Sequence, residues 1–491
     1  MLVVVAGGLT LLTACSVGPD YVRPTVVAPP VFKEMSGWKV ARPQDHVSRG
    51  KWWEIYGDPY LNALEEQIDL SNENVAVAVA QFRQARALVQ AARAAYFPQV
   101  TAGASFMRSR SSANVGGNNG NIGSASGSSG SSGTTSTFLL PLDVSWDVDV
   151  WGKVRRNVES NQAGAQASAA DLAAVRLTVQ AELAQDYFQM RALDAQKQLL
   201  DTTASDFLKT LVLTRNRYAS GVASSADVLL AETQLKSTQA QAIDVGVQRA
   251  QLEHAIAVLI GKPASVVTIP FAPLVVVPPS IPAGVPSELL ERRPDIAAAE
   301  RRIAAANAQI GVAEAAYYPT VTLSASAGFE SPDLSHWLSW PNRFWSFGPA
   351  ISEILYDGGL RRAQTDQAWA VYEANVASYR QTVLTGFQEV EDNLAALRIL
   401  EEEAQVQREA VQAAQQSVVV TTNQYKAGTA SYLDVIVTQA AELSNERTAV
   451  TILGNRMTAS VLLIKALGGG WHASALPSAD DLSRSGIKSG P

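Results

Sequence analysis

Two long stretches without proline set the limits on this fold. Residues 142–262, between Pro141 and Pro263, form 121 proline-free residues, and 350–476, between Pro349 and Pro477, form 127 more. A proline inside a helix removes a hydrogen bond and costs about 3 kcal/mol, so its absence over such lengths permits very long helices. Residues 263–294 hold eight prolines and read as an extended linker between the two stretches. At 1.5 Å per residue, a helix of roughly 65 residues is a rod of about 100 Å. Average helices have about 10–14 residues, and no compact domain buries such a rod. The rods must pack in a coiled coil or a larger assembly.

The chain also repeats itself. Ala95-Tyr96-Phe97-Pro98 returns as Ala316-Tyr317-Tyr318-Pro319, at offset 221. Gly152 with Arg155-Arg156 returns as Gly358 with Arg361-Arg362, at offset 206. Tyr218, Gly221, Ser224 and Asp227 return as Tyr425, Gly428, Ser431 and Asp434, at offset 207. The offset falls by 15 (221 to 206) where the first copy carries residues 109–136, a run rich in Ser, Gly and Asn. A long insertion in one copy is most simply a surface loop. The chain is thus one duplicated unit rather than several unrelated domains. The first repeat, 60–262, reads as a helix (60–95), a β-hairpin (97–150), a long helix (153–217) and a return helix (225–260). The second, 287–468, reads as a helix (287–316), a β-hairpin (318–356), a long helix (359–425) and a return helix (432–467). Residues 15–59 form an extended N-terminal segment, 263–286 the linker and 469–491 a C-terminal tail.

In the second hairpin Val321, Leu323, Ala325, Ala327 and Phe329 alternate with Thr322, Ser324, Ser326 and Gly328. This period of 2 places apolar side chains on one face and small or polar ones on the other. The strand-like runs have about the 9–11 residues of a tilted transmembrane strand. Aromatic residues gather near their ends, among them Tyr96, Phe97, Trp146, Trp151, Tyr317, Tyr318, Phe344, Trp345, Phe347 and Tyr356. Such a girdle suits a membrane–water interface, although a soluble sheet packed on one face would alternate in the same way. Four strands cannot close a barrel, and an open edge in lipid leaves backbone groups unpaired. Three copies would supply an even number of strands within the range of known barrels. They would also bring together Ala-rich helical staves, with Gln and Ser lining a water-filled tube.

Composition narrows the chemistry. Hydrophobic residues are 47% and charged residues 17%, against about 25% charged in an average soluble domain. The net charge is −7, so no basic surface argues for nucleic acid. The chain has one cysteine, Cys15, and four histidines, none at a ligand spacing from another. A cysteine metal cluster, an internal disulfide and a convergent catalytic constellation are not expected. No run of 18 or more apolar residues exists, so no spanning helix is expected. Residues 2–14 are apolar and too short to span a bilayer, and read as a secretory signal. They end in Leu12-Thr13-Ala14-Cys15, which resembles a lipobox, in which the cysteine is acylated and becomes the mature N-terminus. No Lys or Arg precedes Cys15, so the usual charged region is missing and the natural start is expected upstream of Met1. Ser16 after the cysteine is compatible with sorting to the outer membrane.

The ordered set of motifs resembles the TolC-like outer-membrane efflux channels (outer membrane factors), and within them the OprM/NodT-type lipoproteins. The motifs are the lipobox with Val17-Gly18-Pro19-Asp20-Tyr21, Trp52-Trp53 with Asp58-Pro59, Arg292-Arg293-Pro294-Asp295-Ile296, Trp151-Gly152, Asp357-Gly358-Gly359 and Lys465-Ala466-Leu467-Gly468-Gly469-Gly470-Trp471. The resemblance implies an α+β membrane protein. Its homotrimer would form a 12-stranded outer-membrane β-barrel, four strands per chain, continuous with a long periplasmic α-helical barrel. It implies the exit duct of a tripartite efflux pump, of the RND type, working with a periplasmic membrane-fusion adaptor and an inner-membrane transporter. Energy comes from the transporter, so no enzyme activity and no cofactor are expected beyond a covalent lipid on Cys15.

The family closes its duct at the periplasmic helix tips. Asp434 stands where the resemblance places an acidic ring, Leu433 where it places an apolar constriction, and Asp227 is the equivalent acid of the first repeat. Val437 stands where many members carry an Asp. Ser431-x-x-Asp434 and Ser224-x-x-Asp227 also read as N-terminal capping boxes, so the acids have a structural role available. The turns holding Tyr218, Gly221 and Ser224, and Tyr425, Gly428 and Ser431, are candidate docking points for the adaptor. A protein-secretion duct shares this fold and is an alternative within the class. A trimeric coiled-coil structural protein would predict strict heptads and no amphipathic strands.

Overall fold

The structure is a computed structural model that describes residues 16–26, 28–34, 50–110, 134–279, 281 and 286–484. Cys15, the signal 1–14, most of the insertion (111–133) and the end of the tail lie outside the described residues. The first helical stretch is two helices, α1 (Pro59–Ser71) and α2 (Glu73–Ala94). Asn72 causes the break. Its extended backbone ends α1, while its side-chain oxygen accepts the Val75 N–H at 3.0 Å and caps α2. Strands β1 (Gln99–Ala102), β2 (Ser105–Arg110) and β3 (Thr134–Val148) follow, then α3 (Lys153–Ala219) and α4 (Ser225–Leu259). After the linker come α5 (Leu289–Arg292) and α6 (Pro294–Ala315). They are separate because Arg293 precedes a proline and is held extended at φ −96°, ψ 122°. The second hairpin is β4 (Thr320–Ser331) and β5 (Arg343–Ser352), followed by α7 (Leu360–Ala427), α8 (Tyr432–Ala466) and the short α9 (Ala479–Ser483).

The strands form one antiparallel sheet in which β1 and β2 both pair with β3, β3 pairs with β4, and β4 with β5. The expected first strand is interrupted at Gly103 and Ala104, opposite Pro141. Gly103 N–H still donates to the Pro141 carbonyl at 3.1 Å, but proline has no N–H to return. That side of Pro141 faces β1 and β2, so the ladder to β4 runs unbroken from Phe138 to Val148. The register puts most apolar residues of the strands on one face, with Met107, Leu139 and Phe344 on the other. Val144 lies opposite Val100 and Ala325, Trp146 opposite Leu323, Ala325 opposite Phe347, and Val321 opposite Ile351. The other face is chiefly small or polar, with Asp143, Ser145, Asp147, Thr322, Ser324 and Ser326. Thr322 donates to Asp147 across it at 2.7 Å. The outer edges of β1, β2 and β5 have no partner strand within the chain, among the described residues.

The largest core lies at mid-height of the helices, where α1 and a short helix at Trp52–Tyr56 pack on the centre of α3. Leu61, Ile68, Leu183 and Ile256 are fully buried there, and α8 adds Met457 and Val461. One exception is Glu65. It is 0% exposed, neither carboxylate oxygen has a hydrogen-bond partner, and burial pushes its pKa well above the ordinary value, with Asp69 adding to the shift. Helix α8 differs from the expectation of no spanning helix, because one 18-residue window reaches a mean hydropathy of 1.2. Half of that window is buried in the protein, where α8 packs against α3 and α7.

Candidate functional site

The candidate gate residues lie at the two turns where the long helices reverse. Each turn is built the same way. Gly221 (φ +78°) follows α3, and Gly428 (φ +80°) follows α7, both in the left-handed region that favours glycine. The Val222 and Thr429 N–H groups then satisfy the free carbonyls of Arg217 and Gln424, at 2.8 and 3.0 Å. Ser224 and Ser431 restart the chain as N-caps. Asp227 N–H donates to Ser224 Oγ at 3.2 Å, and Ser224 N–H donates back to Asp227 Oδ2 at 2.9 Å. Asp434 N–H donates to Ser431 Oγ at 3.3 Å, and Ser431 N–H donates to Asp434 Oδ2 at 2.9 Å. Both capping boxes are therefore present.

Asp434 remains exposed while capping. The Ser431 hydroxyl, then the Ser431 N–H, hold its carboxyl below the ordinary value, so it is ionised at neutral pH. Leu433 is 56% exposed and Val437 59% exposed. Asp227 is half-buried.

The two turns differ in their tyrosines. Tyr218 is half-exposed, whereas Tyr425 is buried. Tyr425 packs with Tyr432, ring centroids 5.4 Å apart, in a small core with Phe207, Leu211, Leu235 and Val435. The Arg217 guanidinium lies 4.6 Å from the Tyr425 ring centroid. Burial pushes the Tyr432 hydroxyl up to about 12, with Tyr425 and Asp227 adding to the shift. Tyr425 thus fastens the second tip to the first, and Tyr218, Gly221, Ser224, Gly428 and Ser431 are left on the surface of the turns. Sequence reading alone misses this packing. The available sign is Tyr432, where the first repeat has Ser225.

At the other end of the helices the N-terminal segment is fastened beside the sheet. Val17 N–H donates to the Trp151 carbonyl at 3.1 Å. The buried Arg156 donates to the Val17 and Gly18 carbonyls and pairs with Asp20 at 2.8 Å. This holds the start of the described N-terminal segment beside the aromatic residues. There Trp151 stacks on Tyr318 at 4.8 Å and donates to the Pro319 carbonyl at 2.8 Å. Among the described residues no group of three or more His, Cys, Asp or Glu could hold a metal ion.

The sequence model of the family described as Outer membrane efflux protein matches residues 64–262 and 285–469. The antibiotic efflux pump outer membrane protein ArpC of Pseudomonas putida is 32% identical over 472 residues, covering 94% of each chain. Among solved structures, the outer-membrane channel OprN is 31% identical with a TM-score of 0.84, over 93% of this chain and all of its own. The open state of the Neisseria gonorrhoeae MtrE outer membrane channel is 28% identical with a TM-score of 0.79, over 93% of this chain and 98% of its own.

Proposed function

The chain belongs to the outer membrane efflux protein family, and we propose from this premise that it works as a trimeric, tip-gated duct. It is an outer-membrane protein and the exit duct of an efflux pump. The family is one of channels rather than enzymes. The observation that carries the trimer is the sheet, which has one continuous apolar face and two edges without partner strands among the described residues. In lipid each unpaired backbone group costs on the order of several kcal/mol, so the edges of β5 and of β1 and β2 must meet strands of other copies. Three copies make a closed barrel of 12 strands, counting β1 and β2 as one broken strand. The polar face then lines the duct and α3, α4, α7 and α8 continue it as a helical barrel in the periplasm.

At the tips, three copies of the ionised Asp434 form an acidic ring that favours cations, and Leu433 forms the apolar constriction beside it. Asp227 contributes a second, outer set of charges. The exposed turns at Tyr218, Gly221, Ser224, Gly428 and Ser431 receive the helical hairpin of a periplasmic adaptor, which joins the duct to an inner-membrane transporter of the RND type. Cys15 carries the lipid. A relative named for antibiotic efflux supports small-molecule export over protein secretion, and the amphipathic sheet weighs against a purely coiled-coil protein. Sedimentation in detergent tests the assembly, with a trimer expected and a monodisperse monomer counting against it. Drug accumulation in a deletion strain, with and without the adaptor, tests the export role. Single-channel recording of Asp434→Ala tests the gate, and unchanged conductance with unchanged cation preference would remove Asp434 from it.

A further inference from the structure

We propose that the N-terminal segment is a latch on the second helical hairpin as well as the tether of the chain. The inference rests on the reading of the protein as a tip-gated duct. Its basis is a pair of mid-height sites that the internal repeat makes equivalent. At offset 207, Arg191, Asp194 and Arg249 return as Arg398, Glu401 and Arg456.

In the first hairpin this triad grips the linker. Asp194 is 0% exposed and accepts from Arg249 Nε at 2.7 Å and from Arg191 Nη1 at 3.2 Å. Arg249 also donates to the Ile269 carbonyl at 2.7 Å and Arg191 to the Pro270 carbonyl at 2.6 Å. The Ala272 N–H completes the grip by donating to Asp194 at 3.0 Å. Ile269, buried in the core, plugs the site ahead of these bonds. Glu253 supplies the second carboxylate, pairing with Arg249 and accepting the Ile269 N–H at 2.9 Å, so the charges are matched and largely buried, and the gripped segment continues directly from α4. Undoing this staple would leave buried charges unpaired.

The second hairpin has the same pattern of charges and a different occupant. Arg456 pairs with Glu401, and Arg456 Nε has no hydrogen-bond partner. Arg398 reaches Glu34 of the N-terminal segment at 2.7 Å. Two turns earlier on α7, Glu391 accepts the Lys33 and Glu34 N–H groups at 2.7 and 3.0 Å. Phe32, 2% exposed in the same core as Val390 and Leu394, is the plug. An apolar plug followed by a gripped segment thus recurs at equal height. Here the gripped segment comes from far away in sequence, and its ion pair is partly wet, with Arg398 and Glu34 side chains 35% and 22% exposed. Such charge-assisted bonds break reversibly, unlike the buried staple. The hairpin they hold is the one that carries Leu433 and Asp434. Release of residues 32–34 frees α7 beyond Arg398, and the second tip then moves while the first stays stapled.

The test uses the full chain with Glu34→Arg, Arg398→Glu and the two combined. Amide hydrogen exchange over 400–440 and the frequency of channel opening in planar bilayers are both read. Each single reversal is expected to raise both by roughly threefold to tenfold, the scale of one partly exposed ion pair turned repulsive. The combined swap returns them toward the natural values. Cys15→Ser, which removes the tether and keeps Glu34, leaves both unchanged. Unaltered exchange in the single variants, or an equal rise in Cys15→Ser, overturns the latch. If the reversals do not fold, Glu391→Gln is read in the same way, because it weakens the grip without placing like charges together. A natural protein that does not conduct would instead break the duct reading, and exchange still decides the latch.

Discussion

Helices α3 and α7 are repeat equivalents of 67 and 68 residues, yet the chain treats them differently. Helix α3 buries side chains from Arg156 to Thr214, along nearly its whole length. Helix α7 buries only Tyr379, Val383, Gly386, Val390, Leu394, Leu397 and Tyr425. The cause is the number of neighbours. α3 is packed by α1, α2, α4, α6 and α8, whereas α7 packs chiefly on α6 and α8. The free flank of α7 still carries Leu384, Ile399, Val406 and Val419, all more than half exposed. Apolar side chains in that setting fit a rod completed by other copies, as the proposed trimer requires. One long helix is thus packed along nearly its whole length within the chain, and its counterpart keeps an exposed apolar flank.

The contrast can be broken most directly at the paired charges. Asp194→Ala leaves the buried Arg191 without its carboxylate and Arg249 with Glu253 alone, and is expected to cost about 3–5 kcal/mol, whereas Glu401→Ala at the more exposed equivalent costs about 1 kcal/mol or less. Urea midpoints of the detergent-solubilised protein compare the two, and equal losses would end the distinction between a buried and an open site. Phe188→Ala, in the packed centre of α3, should cost about 3–5 kcal/mol in the same assay. Ile399→Ala on the free flank of α7 should stay within about 1 kcal/mol for the separated chain. A penalty that appears only where the trimer persists would assign Ile399 to the interface.

Glu65 provides a pH test of the α3 side. Its folded pKa is raised, so the fold favours the neutral form, and stability is lost as pH rises from the ordinary carboxylate value toward the raised one. Glu65→Gln should therefore raise the melting temperature at neutral pH and flatten its decline with rising pH. An unchanged profile would mean that Glu65 finds a partner in solution. At the tips, Gly221→Ala and Gly428→Ala each place a side chain at positive φ and should cost about 1–2 kcal/mol. The same loss in both would show that the turns are equivalent locally and differ only in what packs on them. The smallest effect is at Asp434. Its pKa is lowered, so its cap and its charge persist below the ordinary value of 3.8 and are lost only as pH falls through the depressed one. Cation preference should survive mild acid accordingly, and a loss of preference near pH ~5, above the ordinary carboxylate range, would point to a different acid.

Much of this architecture was legible because its signals are local. The turn glycines, the Ser-x-x-Asp caps and the prolines each act within a few residues, and each acts in the structure where it stands in the sequence. Asn72 and Arg293-Pro294 were equally local signs of helix ends and explain the two breaks inside stretches expected to be continuous. The apolar alternation of β4 was visible, but its alignment with β3 and β5 depends on register, which no single strand contains. The Arg191–Asp194–Arg249 triad was present at the repeat offset as Arg398, Glu401 and Arg456. Nothing near those residues indicated that the linker closes one triad and the N-terminal segment reaches the other.

By itself the sequence determined the duplicated unit, the lengths of the rods and the places where they turn, since these depend on local backbone chemistry. The tertiary structure alone decided which equivalent residues are buried, which tyrosine fastens the tips and which distant segment grips each hairpin. Those outcomes depend on contacts between residues from 20 to 364 apart in the chain, and a repeat makes its copies alike in pattern without making their surroundings the same.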